Sequence, residues 1–265
     1  MTVKKSIKKK QTSRPTPALP AKKNSAAETR PTACLLGDDQ LVKEYSALLQ
    51  SHGVSVLEIK NLSSLKTSAK KISIAFELTI AFSEEKKRNI IALDELLPPE
   101  IPIVTNAISE TVLAQSQLVT HKSRLIGIAA FPTLIDNRLV ELSPSLHTFQ
   151  QTAETVTAFF AAMKKERAIV EDAVGMVMPR ILCQIINEAL FTVQNDVANP
   201  KDIDTAMKLG TNYPHGPIEW GEKIGFKNIA TVLDALFHHH HEERYRVAPL
   251  LRQLSIAGMF WGKNE

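Results

Sequence analysis

An α/β sheet domain followed by an all-α domain is the fold class that this 265-residue sequence predicts. Three observations carry the prediction. From about residue 32 to 170, short apolar runs alternate with amphipathic helical patterns at spacings that suit a parallel sheet. From about 171 to 265 the periodicity is helical, interrupted by Asn-Pro, Gly-Pro and Ala-Pro steps. Residues 1–31 have no apolar period and are rich in Lys, Ser, Thr, Pro and Ala, which reads as a disordered basic tail.

The elements follow in order. Residues 33–37 (ACLLG) are an apolar run ended by glycine, a buried strand. Over 41–51, Leu41, Tyr45, Leu48 and Leu49 share one helical face, and Gly53 stands where a C-cap would end the helix. Residues 54–59 read as a second strand, and 72–82 as one or two more (ISIAF, LTIAF). A charged amphipathic helix spans 84–97 and is stopped by Pro98 and Pro99. Further strands are expected at 101–105, 125–130 and 138–142, then a helix at 152–165 and a last short strand at 167–170. In the second part, Ile181, Ile185, Ile186, Ala189 and Leu190 recur at helical spacing over 178–193. Asn199 and Pro200 mark the next helix start as N-cap and first residue, with Gly210 as its left-handed end. Tyr213, Pro214, His215, Gly216 and Pro217 form a rigid turn between packed helices.

Composition excludes several classes. With 44% apolar and 23% charged residues, the chain is neither wholly disordered, nor collagen, nor a coiled-coil rod. No run of ~18 apolar residues predicts a membrane span, and no apolar segment follows the basic start as in a secretory signal. Cys34 and Cys183 cannot build a disulfide framework, so a reducing cytoplasm is expected, with Cys183 a buried hydrophobe. The net charge of +4 is uneven: residues 1–30 carry +8 and the remainder −4. No aromatic residue interleaves the basic ones, so the tail reads as a solvated extension and nucleic acid is not an expected partner. His238 to His241 form a run whose i,i+3 pair lacks a third ligand; it reads as a helix end rather than a metal site. Phe159, Phe160 and Trp220 read as core.

One stretch is more specific. RILCQIINEALF at 180–191, DIDTAMKLGTNYPHGPIEW at 202–220, IGFKNIATVLDALF and ERYRVAPLLRQL at 243–254 resemble the C-terminal domain of the 3-hydroxyacyl-CoA dehydrogenases. The Asn-Glu-Ala, Asp-Ile-Asp, Met-Lys-Leu-Gly and Tyr-Pro-x-Gly-Pro elements stand in order, and the likeness extends more weakly back to Ala33. The resemblance implies a Rossmann-like NAD-binding domain over 32–170. It implies a helical domain over 171–265 that supplies a dimer interface and one wall of a substrate cleft. The implied reaction is hydride exchange between NAD and a 3-hydroxyacyl-CoA.

Position by position, the implied chemistry is thin. The dinucleotide turn reads Gly37-Asp38-Asp39-Gln40-Leu41-Val42, so Gly37 alone is retained, with Asp39 and Val42 at the other glycine positions. Asp38 and Asp39 put negative charge where a pyrophosphate would meet a helix N-terminus. Lys60 stands at the acidic ribose position. Thr105-Asn106-Ala107-Ile108 matches the family's catalytic loop: Asn106, a cofactor contact, is kept, and the substrate serine is Ile108, with Ser109 one residue along. The catalytic histidine position is Ala129, and neither His121 nor His147 matches it. Glu141, the orienting carboxylate, is kept, which leaves it without its partner. The active-site asparagine is Pro179. Residues 61–71 are too short for the helical hairpin that grips coenzyme A, which argues against acyl-CoA, and 262–265 lack the family's usual ending. The sequence therefore implies a fold kept after its chemistry was lost: a non-catalytic binding or dimerisation subunit without a cofactor. Its partner would be a second copy or a related dehydrogenase, met through the helical domain. The alternative is an active NAD-dependent oxidoreductase on 3-hydroxyacyl-CoA with a rearranged site.

Overall fold

The computed structural model describes residues 30–258. The tail expected over 1–31 lies outside these residues apart from Arg30 and Pro31, and so does the segment 262–265. Strand β1 (Thr32–Leu36) leads into helix α1 (Asp39–Ser51) and β2 (Ser55–Glu58). The short helix α2 (Ser63–Ser68) precedes β3 (Ile74–Glu77), α3 (Glu84–Leu96), β4 (Ile103–Asn106), α4 (Val112–Ser116) and β5 (Leu125–Ile128). Then come β6 (Leu139–Ser143), α5 (Gln150–Ala162) and β7 (Glu166–Ile169). The remainder is helical: α6 (Met178–Gln194), α7 (Pro200–Thr211), α8 (Pro217–Ile224), α9 (Phe226–His240) and α10 (Pro249–Ala257).

The seven strands form one sheet in the order β2-β1-β3-β4-β5-β6-β7, a Rossmann-like arrangement. β1 to β5 run parallel, and each of β1, β3, β4 and β5 is almost wholly buried. Continuous apolar runs such as ACLL and LIGI suit such two-sided burial. The connections β1–α1–β2 and β3–α3–β4 step in opposite directions along the sheet, so right-handed crossovers place α1 and α3 on opposite faces. On the α1 face, Phe76 of β3 packs against Tyr45 of α1 and Phe159 and Phe160 of α5, with ring centroids 5.8–6.0 Å apart. In the helical part, α9 packs on α6 and α10, and buried Ile186, Leu190, Leu233 and Leu236 form its centre.

Three expectations are corrected. The sheet is not all parallel: β6 pairs antiparallel with β5, through Gly127 with Ser143 and Ile128 with Leu142, and β7 runs parallel to β6. The ten-residue link from β5 to β6 holds one 3-10 turn (Leu134–Asp136) and is too short for a helical crossover, so the chain must reverse. The run LTIAF is a loop rather than a strand, because Leu78 and Ile80 are drawn over the end of β1. Gly210 lies within α7, and the left-handed cap is Asn212 at φ 57°. The other end of α7 is as read, with Asn199 accepting from the Asp202 amide. Among the described residues, no helix is long and apolar enough to cross a membrane.

Candidate functional site

The strand order reverses at β1, since β2 lies on one side of it and β3 on the other. In an open α/β sheet a ligand crevice forms outside the carboxyl ends of the strands at such a point. Here two loops meet across it. The Leu78 amide donates to Leu36 O at 2.8 Å, and the Ile80 amide donates to the Asp38 carboxylate at 2.7 Å. Gly37 sits between them at φ 122°, where a Cβ would come within 2.4 Å of Thr79 N. Glycine is therefore required by contact with the next loop as well as by its backbone conformation.

Beneath this contact lies a buried ionic cluster. The Lys86 ammonium of α3 donates to the Glu77 carboxylate at the end of β3, and both side chains are 0% exposed. Lys86 also donates to Thr79 O at 3.0 Å, and Asn89 donates to Glu77 at 3.3 Å. Burial pulls the Lys86 ammonium below its usual range, opposed by the charge of Glu77. Beside the cluster, at the ends of β1 and β2, is a cavity of about 430 Å³ lined by Asp39, Lys43, Glu58, Lys60, Glu85 and others. Its charges are mixed, and Lys60 and Asp39 face the same space.

Asn106, at the end of β4, is fully buried. Its side-chain amide donates to Ala130 O at 2.8 Å, and its carbonyl oxygen accepts from Ala130 N at 3.2 Å. Both ends of the group thus fasten β4 to the loop after β5. Ile108 is buried, with its carbonyl accepting from Gly175 N at 2.9 Å. The Ser109 hydroxyl is buried and donates to Ile80 O.

Ala129 follows β5 and lines a second cavity, of about 410 Å³, together with Tyr45, Leu134, Ile135, Val140 and Met178. Glu141 of β6 reaches the same cavity, and it is not left alone as the sequence suggests. Its carboxylate accepts from the Val177 amide at 2.9 Å and from the Met178 amide at 2.8 Å. These are the amides of the residue before α6 and of its first residue, so the carboxylate sits at the start of that helix and meets the positive end of its dipole. Pro179 sits in the first turn of α6, where its missing N–H leaves no orphan donor. The structure thus brings Ala129, Glu141 and the start of α6 together, and places Gly37 and Asn106 in separate, internally bonded positions.

The remaining histidines lie elsewhere. His121 faces Asp94 at 3.3 Å, His147 is exposed, and His241 is the left-handed cap of α9. His240 accepts from Arg180 at 2.8 Å and packs on Tyr245. Among the described residues, no three His, Cys, Asp or Glu side chains gather as a metal site would require. Sequence reasoning missed Asp172, which accepts from the Val112 and Leu113 amides at 2.7 Å and joins the segment before α6 to α4. No local pattern marks this bond, because it spans 60 residues.

The comparisons agree with this architecture. The family description "3-hydroxyacyl-CoA dehydrogenase, C-terminal domain" matches residues 175–265. A probable 3-hydroxybutyryl-CoA dehydrogenase of Bacillus subtilis is 30% identical over 210 residues, covering 79% of this chain and 73% of that protein. The 3-hydroxyadipyl-CoA dehydrogenase of Escherichia coli is 35% identical over 175 residues, 65% of this chain but only 34% of that longer protein. In fold, the chain is similar to FadB2 of M. tuberculosis, with a TM-score of 0.77 at 18% identity over 86% of this chain and 94% of that one. It is also similar to the (S)-3-hydroxybutyryl-CoA dehydrogenase of Ralstonia eutropha, with a TM-score of 0.68 at 22% identity over 87% and 95% of the two chains.

Proposed function

The chain belongs to the 3-hydroxyacyl-CoA dehydrogenase family, and from that premise we propose that it has lost hydride transfer and serves as a cytoplasmic, non-catalytic binding or dimerisation subunit. The observation that carries this reading is the pairing of Ala129 with Glu141. A dehydrogenation of this kind needs a base for the hydroxyl proton and a group to orient that base. At the base position stands a methyl group, and both carboxylate oxygens of the orienting residue accept amides at the start of α6.

The cofactor that the family implies is NAD, and the residues at the crevice do not fit it. A pyrophosphate needs free amides and close backbone approach. Here the Asp38 carboxylate occupies the Ile80 amide, Asp39 adds a second negative charge at the start of α1, and Val42 stands where a third glycine would let helix meet strand. The alternative, an active NAD-dependent oxidoreductase on 3-hydroxyacyl-CoA, rests on the names of the relatives. Gly37, Asn106 and Glu141 lend it little, since each has a structural role.

Pairing through the helical part is supported by a groove of about 770 Å³ between α6 and α7, lined by Ile185, Ala189, Ala198, Ile203 and Met207 among others. The same two helices carry exposed Ile181 and Leu209. The partner in this reading is a second copy or a related dehydrogenase, and sedimentation of the chain alone and mixed with such a relative tests it. The catalytic question is tested by calorimetric titration with NADH, alone and with acetoacetyl-CoA, while NADH absorbance is followed. We expect neither binding nor turnover. NADH consumption would overturn the reading.

A further inference from the structure

The two ends of the sheet show different things to water. The crevice and the cavity beside Ala129 lie at the carboxyl ends of the parallel strands. At the amino ends stand the segment before β1, the loops before β3, β4 and β5, and the turn that follows the antiparallel β6. That turn, residues 144–149, is fastened from within. The Thr148 hydroxyl donates to Leu125 O at 2.6 Å, the Ser145 amide donates to Thr148 Oγ1 at 2.9 Å, and the Phe149 amide donates to Ser123 O at 2.9 Å. Its two large apolar side chains nevertheless stay outside: Leu146 is 90% exposed and Phe149 66%. A turn whose backbone is already held loses little freedom when those side chains are covered. The accessible charges in the loops around it are mostly positive. Lys70 and Lys71 precede β3 and Lys122 precedes β5, against Glu100 before β4. Residues 1–30 carry +8 and join the fold at Arg30, two residues before β1, at this same end.

We propose that the amino end of the sheet docks on an anionic lipid surface, with Leu146 and Phe149 entering the headgroup layer and the basic residues of 1–30 drawn to the lipid charge. Apolar burial and electrostatic attraction add at a bilayer surface, and each alone gives only weak, reversible attachment. Nucleic acid would use the positive charge and leave Leu146 and Phe149 in water, so the apolar pair favours the bilayer. The attachment is peripheral and uses the end of the sheet opposite the crevice. It does not depend on whether hydride transfer is lost.

The test is co-sedimentation of the full chain with vesicles of phosphatidylcholine, alone or mixed with phosphatidylglycerol. Binding to the mixed vesicles is expected, at least about tenfold tighter than to the neutral ones, and lost at about 0.5 M salt. Leu146→Ser with Phe149→Ser should weaken it at least about tenfold, since two apolar side chains no longer leave water. The thermal midpoint should hold, because both positions are exposed and serine suits the N-cap place that Phe149 occupies before α5. Phe149→Trp keeps an apolar side chain there, and its emission should shift to the blue on mixed vesicles. No binding to mixed vesicles, equal binding to neutral ones, unchanged binding in the double serine variant, or no spectral shift in Phe149→Trp would each overturn the proposal. Duplex DNA that binds the chain with the same affinity in the double serine variant and displaces it from vesicles would assign the charge to nucleic acid instead. A dimer that dissociates in the double serine variant while vesicle binding persists would assign the turn to a second copy.

Discussion

At the crevice between β1 and β3, charged side chains reach across and satisfy one another: Asp38 holds the Ile80 amide, and Glu77 holds Lys86. At the cavity beside Ala129, aliphatic walls face open space and the nearest carboxylate is turned to the start of α6. The difference follows from what each place would cost if left unfilled. A buried charge without a partner costs several kcal/mol, so the charges beneath the crevice are paired by the chain itself, while the mixed-charge cavity of about 430 Å³ beside them stays open at its charged rim. An apolar hollow open to solvent carries a smaller penalty, spread over its lining, and can persist.

The sharpest way to break this comparison is Lys86→Ala. It strands the Glu77 carboxylate in the core and should destabilise the fold by about 3–5 kcal/mol in urea denaturation. The double replacement Glu77→Leu with Lys86→Met should recover most of that loss. A cost well under that range for Lys86→Ala would mean that water reaches the crevice. Next in size is Glu141→Ala, which removes the acceptor for two amides and should cost about 1–3 kcal/mol. It should also speed hydrogen exchange at the Val177 and Met178 amides. A variant with unchanged exchange there would detach Glu141 from the helix and reopen its reading as a catalytic group.

A site remote from both regions sets the baseline for pH. Burial alone would raise the Asp94 carboxyl, but hydrogen bonds from Arg124 and from the Thr120 and His121 amides outweigh it and hold it below the usual value. A folded value below the unfolded one contributes stability that is complete above about pH 4 and is lost as pH falls through the folded value. Asp94→Asn should therefore flatten the acid limb of the stability curve without changing its neutral shape. Smallest of all, Gly210→Ala should stabilise α7 by about 0.5 kcal/mol, since a Cβ there meets nothing within 4 Å. Its failure to do so would place that helix end against a partner in solution.

Much of the fold is legible in the sequence because periodicity reports burial directly. The runs at 33–37, 101–105 and 125–130 become β1, β4 and β5, and the 84–97 pattern becomes α3. Short helices escape: α2 and α4 have six and five residues, too few for an apolar face to recur. The reversal at β6 escapes because strand direction depends on the length and path of the link, not on the strand's own residues. Of the candidate site, the substitutions at Ala129, Ile108 and Pro179 are plain on the page. What Glu141 and Asp38 do instead is not, because their partners lie 36 and 42 residues away. Tyr45 reads as one more apolar position of an amphipathic helix, which agrees with its packing on Phe76.

Gly37 carries a consequence for how such chains are compared. With Thr79 N within 2.4 Å of a would-be Cβ, replacement there is penalised by the loop packed against it, whether or not a dinucleotide ever binds. Purifying selection on that position would look identical in an enzyme and in a chain that had abandoned redox chemistry. A glycine that survives in a nucleotide fingerprint is then a record of ancestry and of steric need, and surveys that infer activity from it will count silent members as working ones.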